Sequence, residues 1–261
     1  MQHQDFGHLD GPVVLFGGPY SNQQATEALI AAVGGRVAIC TGDIVGYCAA
    51  PNETAAQLAG EDFFCIAGNC ERQLWDGTDD CGCGFEEGST CDRLSSGWWP
   101  WLVKTAGAHE VTWLNDLPDL GSFVHDSRRY GVLHGGATEN NLFLWPSSSD
   151  QDFANQIAAL EERIGAVDGI IAGHSGLAFH RRIGRHDWIN AGAIGLPPHD
   201  GRPRTRYAVL EDGQVTFHRL DYDHEAARHA METAGLTQGY HETLTTGLWP
   251  SEDVLPAELR R

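Results

Sequence analysis

The sequence predicts an α/β fold built on a mostly parallel sheet. Within the first 70 residues, short apolar segments rich in β-branched residues alternate with segments of helical periodicity. The short connections between them favour right-handed crossovers, which place successive strands side by side in parallel. The second half contains closely spaced short strands, which we expect to form a second sheet packed on the first. A chain of 261 residues is long enough for one such domain.

Each element is assigned from its periodicity and from the residues that end it. In the first half, the expected strands are 12–17, 36–40 and 63–67, and the expected helices are 23–33, 52–59 and 111–117. Ser21 and Asn22 can cap the first helix, and Pro118 ends the third. In the second half, we expect a hairpin of 121–125 with 129–133, strands at 169–172, 178–183, 187–189, 205–210 and 215–220, and helices at 150–164 and 223–235.

Two segments fall outside this pattern. Residues 76–92 have neither helical nor strand periodicity, and we interpret them as a cysteine-rich surface insertion that holds Cys81, Cys83 and Cys91. Residues 239–261 contain Pro250 and Pro256 and are expected to form a peripheral tail. The sequence therefore predicts a single domain over residues 1–238 that carries the insertion, followed by the tail.

Composition excludes several classes of partner. The formal net charge of -19 leaves no basic stripe for a nucleic-acid backbone. No apolar run approaches the length of a membrane span, and the first residues lack the basic and apolar regions of a signal peptide, so we expect a cytoplasmic protein. In a reducing compartment, the seven cysteines are expected to be thiols or metal ligands rather than a disulfide framework.

Four polar residues each follow an expected strand and adjoin a glycine. They are Asp43, Asn69, His134 and His174. Because α/β sheets place ligands at the carboxyl ends of their strands, we expect these side chains to converge. Carboxylate and amide oxygens and imidazole nitrogens are ligands suited to Mn, Fe, Zn or Ni, and they differ from the thiolates of a soft-metal site. The sequence therefore predicts a divalent metal site.

These motifs resemble those of the calcineurin-like metallophosphoesterase superfamily, in particular its small bacterial phosphodiesterase branch. The matching segments are Gly42-Asp43 with Val45 and Tyr47, Gly68-Asn69-Cys70-Glu71, His134-Gly135, Gly173-His174 and Asn190 to Gly195. The resemblance covers about 13–210. It implies a four-layer α/β sandwich, in which two packed mixed sheets are flanked by helices, and hydrolysis of phosphoesters at two metal ions.

This chain departs from the family pattern at three ligand positions. Gly18 and Tyr20 stand where the family has an aspartate and a histidine, and Gly176 stands where it has a second histidine. In the family, these three residues bind only one of the two metals. The complete set for the other metal is present, so the resemblance implies a site for one divalent ion and a small phosphorylated substrate.

Further roles follow from the same resemblance. The Tyr20 hydroxyl is expected to donate to a phosphate oxygen or to bind the metal, or else the ring simply fills the space of the lost imidazole. Cys70 stands where many relatives carry a histidine that assists the leaving group. For the insertion cysteines, the options are a thiolate metal centre, a redox pair, a lid disulfide or plain loop residues, because Cys-x-Cys with one lone cysteine is not a paired zinc knuckle.

Two alternative functions remain open on the sequence. Asp43, His134 and His174 supply the two imidazoles and one carboxylate that also hold mononuclear Fe(II) in non-hydrolytic enzymes. Alternatively, the chain is an inactive scaffold, which an exposed apolar patch around Trp98–Trp101 would favour.

Overall fold

Two mixed β-sheets pack face to face in the computed structural model, which describes residues 1–261. The strands are β1 (His3–His8), β2 (Val13–Phe16), β3 (Val37–Cys40), β4 (Phe64–Cys65), β5 (Leu120–His125), β6 (Arg128–Val132), β7 (Gly169–Ala172), β8 (Ala178–Ile183), β9 (His186–Ala191), β10 (Thr205–Glu211) and β11 (Gln214–Leu220). One sheet has the order β1-β5-β6-β7-β9-β8, and the other has the order β11-β10-β2-β3-β4.

Helices cover the outer faces of both sheets. They are α1 (Gln23–Val33), α2 (Pro51–Ala59), α3 (Asn69–Asp76), α4 (Thr90–Thr105), α5 (Ala108–Asp116), α6 (Asp150–Ile164), α7 (His224–Thr233) and α8 (Tyr240–Thr246), with a 3-10 turn at Ala257–Leu259. Most of them lie on the five-stranded sheet, whereas α6 packs on the six-stranded one. None combines the length and the apolar character that a membrane crossing requires.

Side-chain alternation along β2 explains the layering. Val13 and Leu15 belong to a buried cluster between the sheets, together with Val132 and Ile171 of the opposite sheet. Val14 and Phe16 point the other way, into the cluster under the helices. A strand buried on both faces is expected to be apolar at every position, as β2 is. The four-layer α/β sandwich is therefore confirmed.

The parallel crossovers predicted for the first half are confirmed. β2 pairs in parallel with β3, and β3 with β4. The side chain of Asn22 caps α1 by accepting a hydrogen bond from Ala25 N at 3.1 Å. The hairpin of β5 and β6 is also present, and its turn residues Asp126 and Ser127 both have positive φ.

Three features differ from the expectations. The late short strands do not form one sheet, because β8 and β9 join the six-stranded sheet while β10 and β11 join the other. The N-terminal strand β1 was not predicted because it is an edge strand in which only Phe6 is buried. Helix α4 was not predicted either, since its segment contains Gly97 and Pro100, residues that disfavour a helix interior.

The insertion and the tail lie closer to the core than their sequences suggest. Cys81 and Cys83 are only 2% and 4% exposed, so this part of 76–92 is not a surface excursion. Within 239–261, expected to be peripheral, Tyr240, Leu244 and Leu255 are buried. The apolar residues in both segments are too irregularly spaced to produce a periodic signal, but Cys81, Cys83, Tyr240 and Leu244 all join the core cluster under the helices.

Candidate metal centre

The carboxyl ends of four strands meet at one edge of the two sheets. Asp43 follows β3, and Asn69 follows β4 as the first residue of α3. His134 follows β6, and His174 follows β7. Each sheet therefore contributes two of the four residues that the sequence predicts as metal ligands, and all four are brought together.

Glycines allow two of these strand ends to pack in direct contact. A Cβ added at Gly42 would lie 2.4 Å from the backbone nitrogen of Gly68. A Cβ added at Gly68 would lie 2.2 Å from the Oδ1 atom of Asp43. Any larger residue at either position would separate the two corners, so the glycines bring Asp43 and Asn69 side by side.

The polar atoms of the four residues converge on the Nε2 atom of His134. That atom lies 3.2 Å from Asp43 Oδ2, 3.1 Å from Asn69 Oδ1 and 3.1 Å from His174 Nδ1. The ligand atoms of Asp43, His134 and His174 all lie within 4.8 Å of one another. Asp43 and His134 are buried, and His174 is partly buried.

The chemistry of this donor set fits a cation. His134 Nδ1 lies 2.6 Å from the carbonyl oxygen of Thr41, a contact that requires a proton on Nδ1. Its Nε2 lone pair then faces the carboxylate of Asp43 and the amide oxygen of Asn69. Burial lowers the pKa of His134, but the adjacent Asp43 carboxylate, together with the Thr41 carbonyl and Glu71, outweighs burial and raises it. Converging lone pairs of this kind require a cation between them, which is a proton or a metal ion.

His174 has the protonation state that a metal ligand needs. Burial, together with the neighbouring His134, lowers its pKa to about 3, so the ring is neutral at physiological pH. Its Nε2 atom is buried and has no hydrogen-bond partner. Asn190 of β9 donates to the carbonyl of Gly173 at 2.6 Å and to the hydroxyl of Ser175 at 3.0 Å, and these bonds hold the backbone on both sides of His174.

Glu71 is a positioning residue that the sequence analysis did not select. Its carboxylate accepts hydrogen bonds from the backbone nitrogens of Asp43 (2.9 Å), Val45 (3.0 Å) and Gly68 (2.7 Å). Burial and the nearby Asp43 raise its pKa to about 7. The signal was present as the acidic residue that ends the Gly68-Asn69-Cys70-Glu71 motif. By accepting these three hydrogen bonds, Glu71 holds the turn after β3 against the turn after β4.

Aromatic side chains occupy the neighbourhood of the three missing ligands. A Cβ on Gly18 would lie 2.5 Å from the Tyr20 ring, and a Cβ on Gly176 would lie 3.5 Å from the Trp249 ring. Tyr20 is buried, and its pKa is raised by burial first and by Asp43 second, so its hydroxyl keeps its proton. Trp249 comes from the segment expected to be a peripheral tail. The Tyr20 ring therefore fills the space beside Gly18, whereas Gly176 lies on the cavity wall next to Trp249.

A cavity of about 60 Å³ opens beside Asp43 and His174. Tyr20 lines it, but no lysine or arginine does. Much of the remaining wall is aromatic and includes Tyr47, Phe85, Phe143, Trp145, Tyr240 and Trp249. Cys70, which we expected beside the leaving group, is fully buried and is not part of the cavity wall, so we assign it no contact with substrate.

Comparisons with known proteins identify the fold. No protein-family model matches the chain, and no curated protein matches it. A metallophosphoesterase from Sphaerobacter thermophilus matches with a TM-score of 0.72 and 21% identity, over 92% of this chain and 100% of its own. A hypothetical protein from Pyrococcus horikoshii OT3 matches with a TM-score of 0.72 and 17% identity, over 90% and 98%. A cold-active protein-tyrosine phosphatase from a psychrophilic Shewanella species matches with a TM-score of 0.51 and 12% identity, over 83% and 82%. The chain therefore has the calcineurin-like metallophosphoesterase fold that its strand-end motifs predict.

Proposed function

We propose that this protein is a metal-dependent phosphoesterase that uses one divalent ion. The observation that carries the proposal is the convergence of Asp43, Asn69 and His174 on the Nε2 atom of His134. These four residues would hold the ion, with Mn, Fe, Zn and Ni as the candidates for this donor set. A bound ion supplies Lewis-acid polarisation of a phosphoryl oxygen and lowers the pKa of bound water.

The protein's own groups complete the site. The Tyr20 hydroxyl stays protonated and lines the cavity beside Asp43, so it can donate a hydrogen bond to a phosphate oxygen. Gly18 and Gly176 offer no ligand for a second ion, and the Tyr20 ring takes up the space beside Gly18. Without a second ion, a clamp on both the attacking and the leaving oxygen is absent, and Tyr20 takes over part of that task.

The cavity suggests which phosphoesters would bind. No cationic side chain lines it to neutralise several phosphates, so we expect a substrate with one phosphoryl group. Its aromatic wall favours an apolar or aromatic substituent. The similar structures from Sphaerobacter and Shewanella are named a metallophosphoesterase and a protein-tyrosine phosphatase, which is consistent with a phosphoester substrate.

Hydrolysis of aryl phosphate monoesters and diesters tests this function. We expect Mn²⁺-dependent turnover by the wild type and a loss of at least about 100-fold in His174→Ala, because a metal ligand is removed. Asp187→Asn, a change at a buried carboxylate outside the site, should retain activity. A wild-type chain that binds metal but hydrolyses neither ester with any of the four candidate metals would contradict the proposal.

Three of the candidate ligands also fit a second function. Asp43, His134 and His174 are also the residue types of a mononuclear Fe(II) centre with open positions. Oxygen consumption by the anaerobically iron-loaded chain would support this candidate. A binding scaffold has less support, because Trp98 and Trp99 are buried and provide no exposed aromatic patch.

A further inference from the structure

The hydrogen-bond partners of the Asn69 amide nitrogen all belong to cysteines. Asn69 Nδ2 donates to the carbonyl oxygen of Cys81 at 2.9 Å. The same nitrogen lies 3.5 Å from Cys83 Sγ and 3.6 Å from Cys70 Sγ. Because the Cys81 carbonyl holds the nitrogen, the oxygen of Asn69 faces His134. The loop thus sets which end of the amide points into the metal centre.

Cys81 and Cys83 form a disulfide within this loop, while the other five cysteines are free thiols. A bridge between residues only two positions apart removes little entropy from the unfolded chain, so a role as a stabilising staple has weak physical support. The loop also has other anchors. Trp99 Nε1 donates to the carbonyl of Thr78 at 3.0 Å, and Asn141 Nδ2 donates to that of Gly82 at 2.8 Å.

The two sulfurs differ in their access to small molecules. Cys83 lines the cavity beside His174, whereas Cys81 does not. Asn141, which holds Gly82, lies in the loop that follows His134. A change in the disulfide therefore reaches both sides of the metal centre, through Asn69 on one side and the loop after His134 on the other.

We propose that Cys81 and Cys83 are a reversible thiol–disulfide site whose oxidised form positions Asn69 for metal binding. The reaction partner is a dithiol, which attacks Cys83 Sγ from the cavity. The Cys81–Cys83 bond breaks, the disulfide of the reductant forms, and two electrons and two protons pass to the cysteine sulfurs. Reduction lets the backbone of Cys81 and Cys83 relax between the anchors at Thr78 and Gly82, so the Cys81 carbonyl shifts and the Asn69 amide is free to rotate away from His134.

Metal titration of the full chain in both oxidation states tests this site. The protein is reduced with dithiothreitol, freed of reductant under anaerobic conditions and titrated with Mn²⁺, and its mass is checked for the gain of two hydrogens. We expect affinity for Mn²⁺ to fall about 10-fold on reduction, as for loss of a group that orients a ligand. Reoxidation with oxidised glutathione should restore the affinity.

Variants separate the pair from the other cysteines. Cys81→Ser and Cys83→Ser should bind Mn²⁺ as weakly as the reduced wild type and should not respond to the reductant. Cys91→Ser is the matched control, since Cys91 lines the same cavity but is unpaired, and it should keep the full response. Equal affinity in the two oxidation states, with the mass change verified, would overturn the proposal.

A second readout requires no metal, no activity and no variant of the pair. The two side-chain amide resonances of Asn69, assigned with Asn69→Asp, should shift on reduction and return on oxidation in the metal-free wild type. Unchanged resonances across a verified mass change would overturn the proposal. This inference rests on Asn69 being a metal ligand but not on phosphoester hydrolysis, so an inactive enzyme with redox-dependent metal affinity would refute the proposed function alone.

Discussion

Two buried aspartates lie near histidines in this protein, but their surroundings are different. Asp43 and Asp187 are 3% and 8% exposed. Asp187 accepts from His180 Nε2 at 2.9 Å, from Arg182 Nη1 at 2.8 Å and from the guanidinium of Arg128. Both of its oxygens therefore have cationic or protonated partners. Asp43 has no arginine or lysine beside it, and its closest side-chain partner is His134.

The difference distinguishes a self-sufficient ion network from a site that awaits a cation. Around Asp187, arginines supply the positive charge, and the cluster is complete without a ligand. Around Asp43, the groups that converge are the amide oxygen of Asn69 and ring nitrogens of His134 and His174, and none of them carries a fixed positive charge. A buried acceptor cluster without a counter-charge is costly unless a cation binds there. The pattern of partners therefore indicates metal binding more directly than burial does.

Exchanging the two carboxylates for amides should give opposite results. Asp43→Asn should weaken Mn²⁺ binding by at least about 100-fold, because the only carboxylate among the ligands is lost. Asp187→Asn should leave metal affinity unchanged, since every group around it is already paired. Isothermal titration of both variants measures the effect, and equal metal affinities would remove the distinction between the clusters.

Removal of Glu71 should affect folding as well as metal binding. Glu71→Ala leaves three buried backbone amides without an acceptor, and we expect a loss of about 3 kcal/mol in the free energy of unfolding. Metal affinity should fall about 10-fold because the corners that carry Asp43 and Asn69 loosen. Urea unfolding and metal titration provide the measurements.

The matched control for this variant is Glu61→Ala. Glu61 is an exposed carboxylate, so its removal should change neither quantity. A Glu71→Ala protein as stable as the wild type would show that the three hydrogen bonds do not hold the corners.

Tyr20→Phe should separate catalysis from metal binding. Loss of the hydroxyl removes one hydrogen bond to the phosphate, and we expect kcat to fall about 10-fold, which corresponds to about 1.4 kcal/mol. Metal affinity should remain that of the wild type, because the aromatic ring still fills the space beside Gly18. Steady-state kinetics of Tyr20→Phe, with Tyr207→Phe as a variant outside the cavity, tests this. An unchanged kcat would reduce Tyr20 to a space-filling role.

The Asp187 network should contribute a small, pH-dependent stability. Burial raises the pKa of Asp187, but hydrogen bonds from Arg128, His180 and Arg182 outweigh burial and hold it below its ordinary value. The contribution is therefore present above the ordinary carboxyl pKa of about 3.9 and is lost as pH falls through the lower folded-state value. We expect Asp187→Asn to cost about 1 kcal/mol at neutral pH.

Urea unfolding of the wild type and Asp187→Asn across an acid series measures this difference. It should be constant from neutral pH down to the ordinary carboxyl range and should disappear in stronger acid. A difference that grows as pH falls would have the wrong sign for this network.

The fold and the convergence of the four candidate ligands could be predicted from local sequence. The apolar strands and the glycine corners after them are properties of short segments, and strand ends of a parallel sheet meet by topology alone. Asp43, Asn69, His134 and His174 were selected in this way. The resemblance to metallophosphoesterases is confirmed by the fold, whereas the number of metal ions and the substrate are still predictions.

What surrounds the ligands depends on contacts between distant segments. Nothing local indicates that Trp249 packs over Gly176, or that the carbonyl of Cys81 holds Asn69. The cavity wall is assembled from the insertion, the loop after His134 and the C-terminal segment, which are far apart in sequence. For Cys70, the local motif was misleading. The motif suggests contact with substrate, but the side chain is buried and does not line the cavity.

The central claim is a single metal ion bound by Asp43, Asn69, His134 and His174. The most direct test is elemental analysis of the untagged, oxidised protein after loading with each candidate metal, beside His174→Ala. We predict about one equivalent per chain in the wild type, since one complete ligand set is present, and almost none in His174→Ala. Two equivalents in the wild type, none with any of the four metals, or an unchanged content in His174→Ala would contradict the claim.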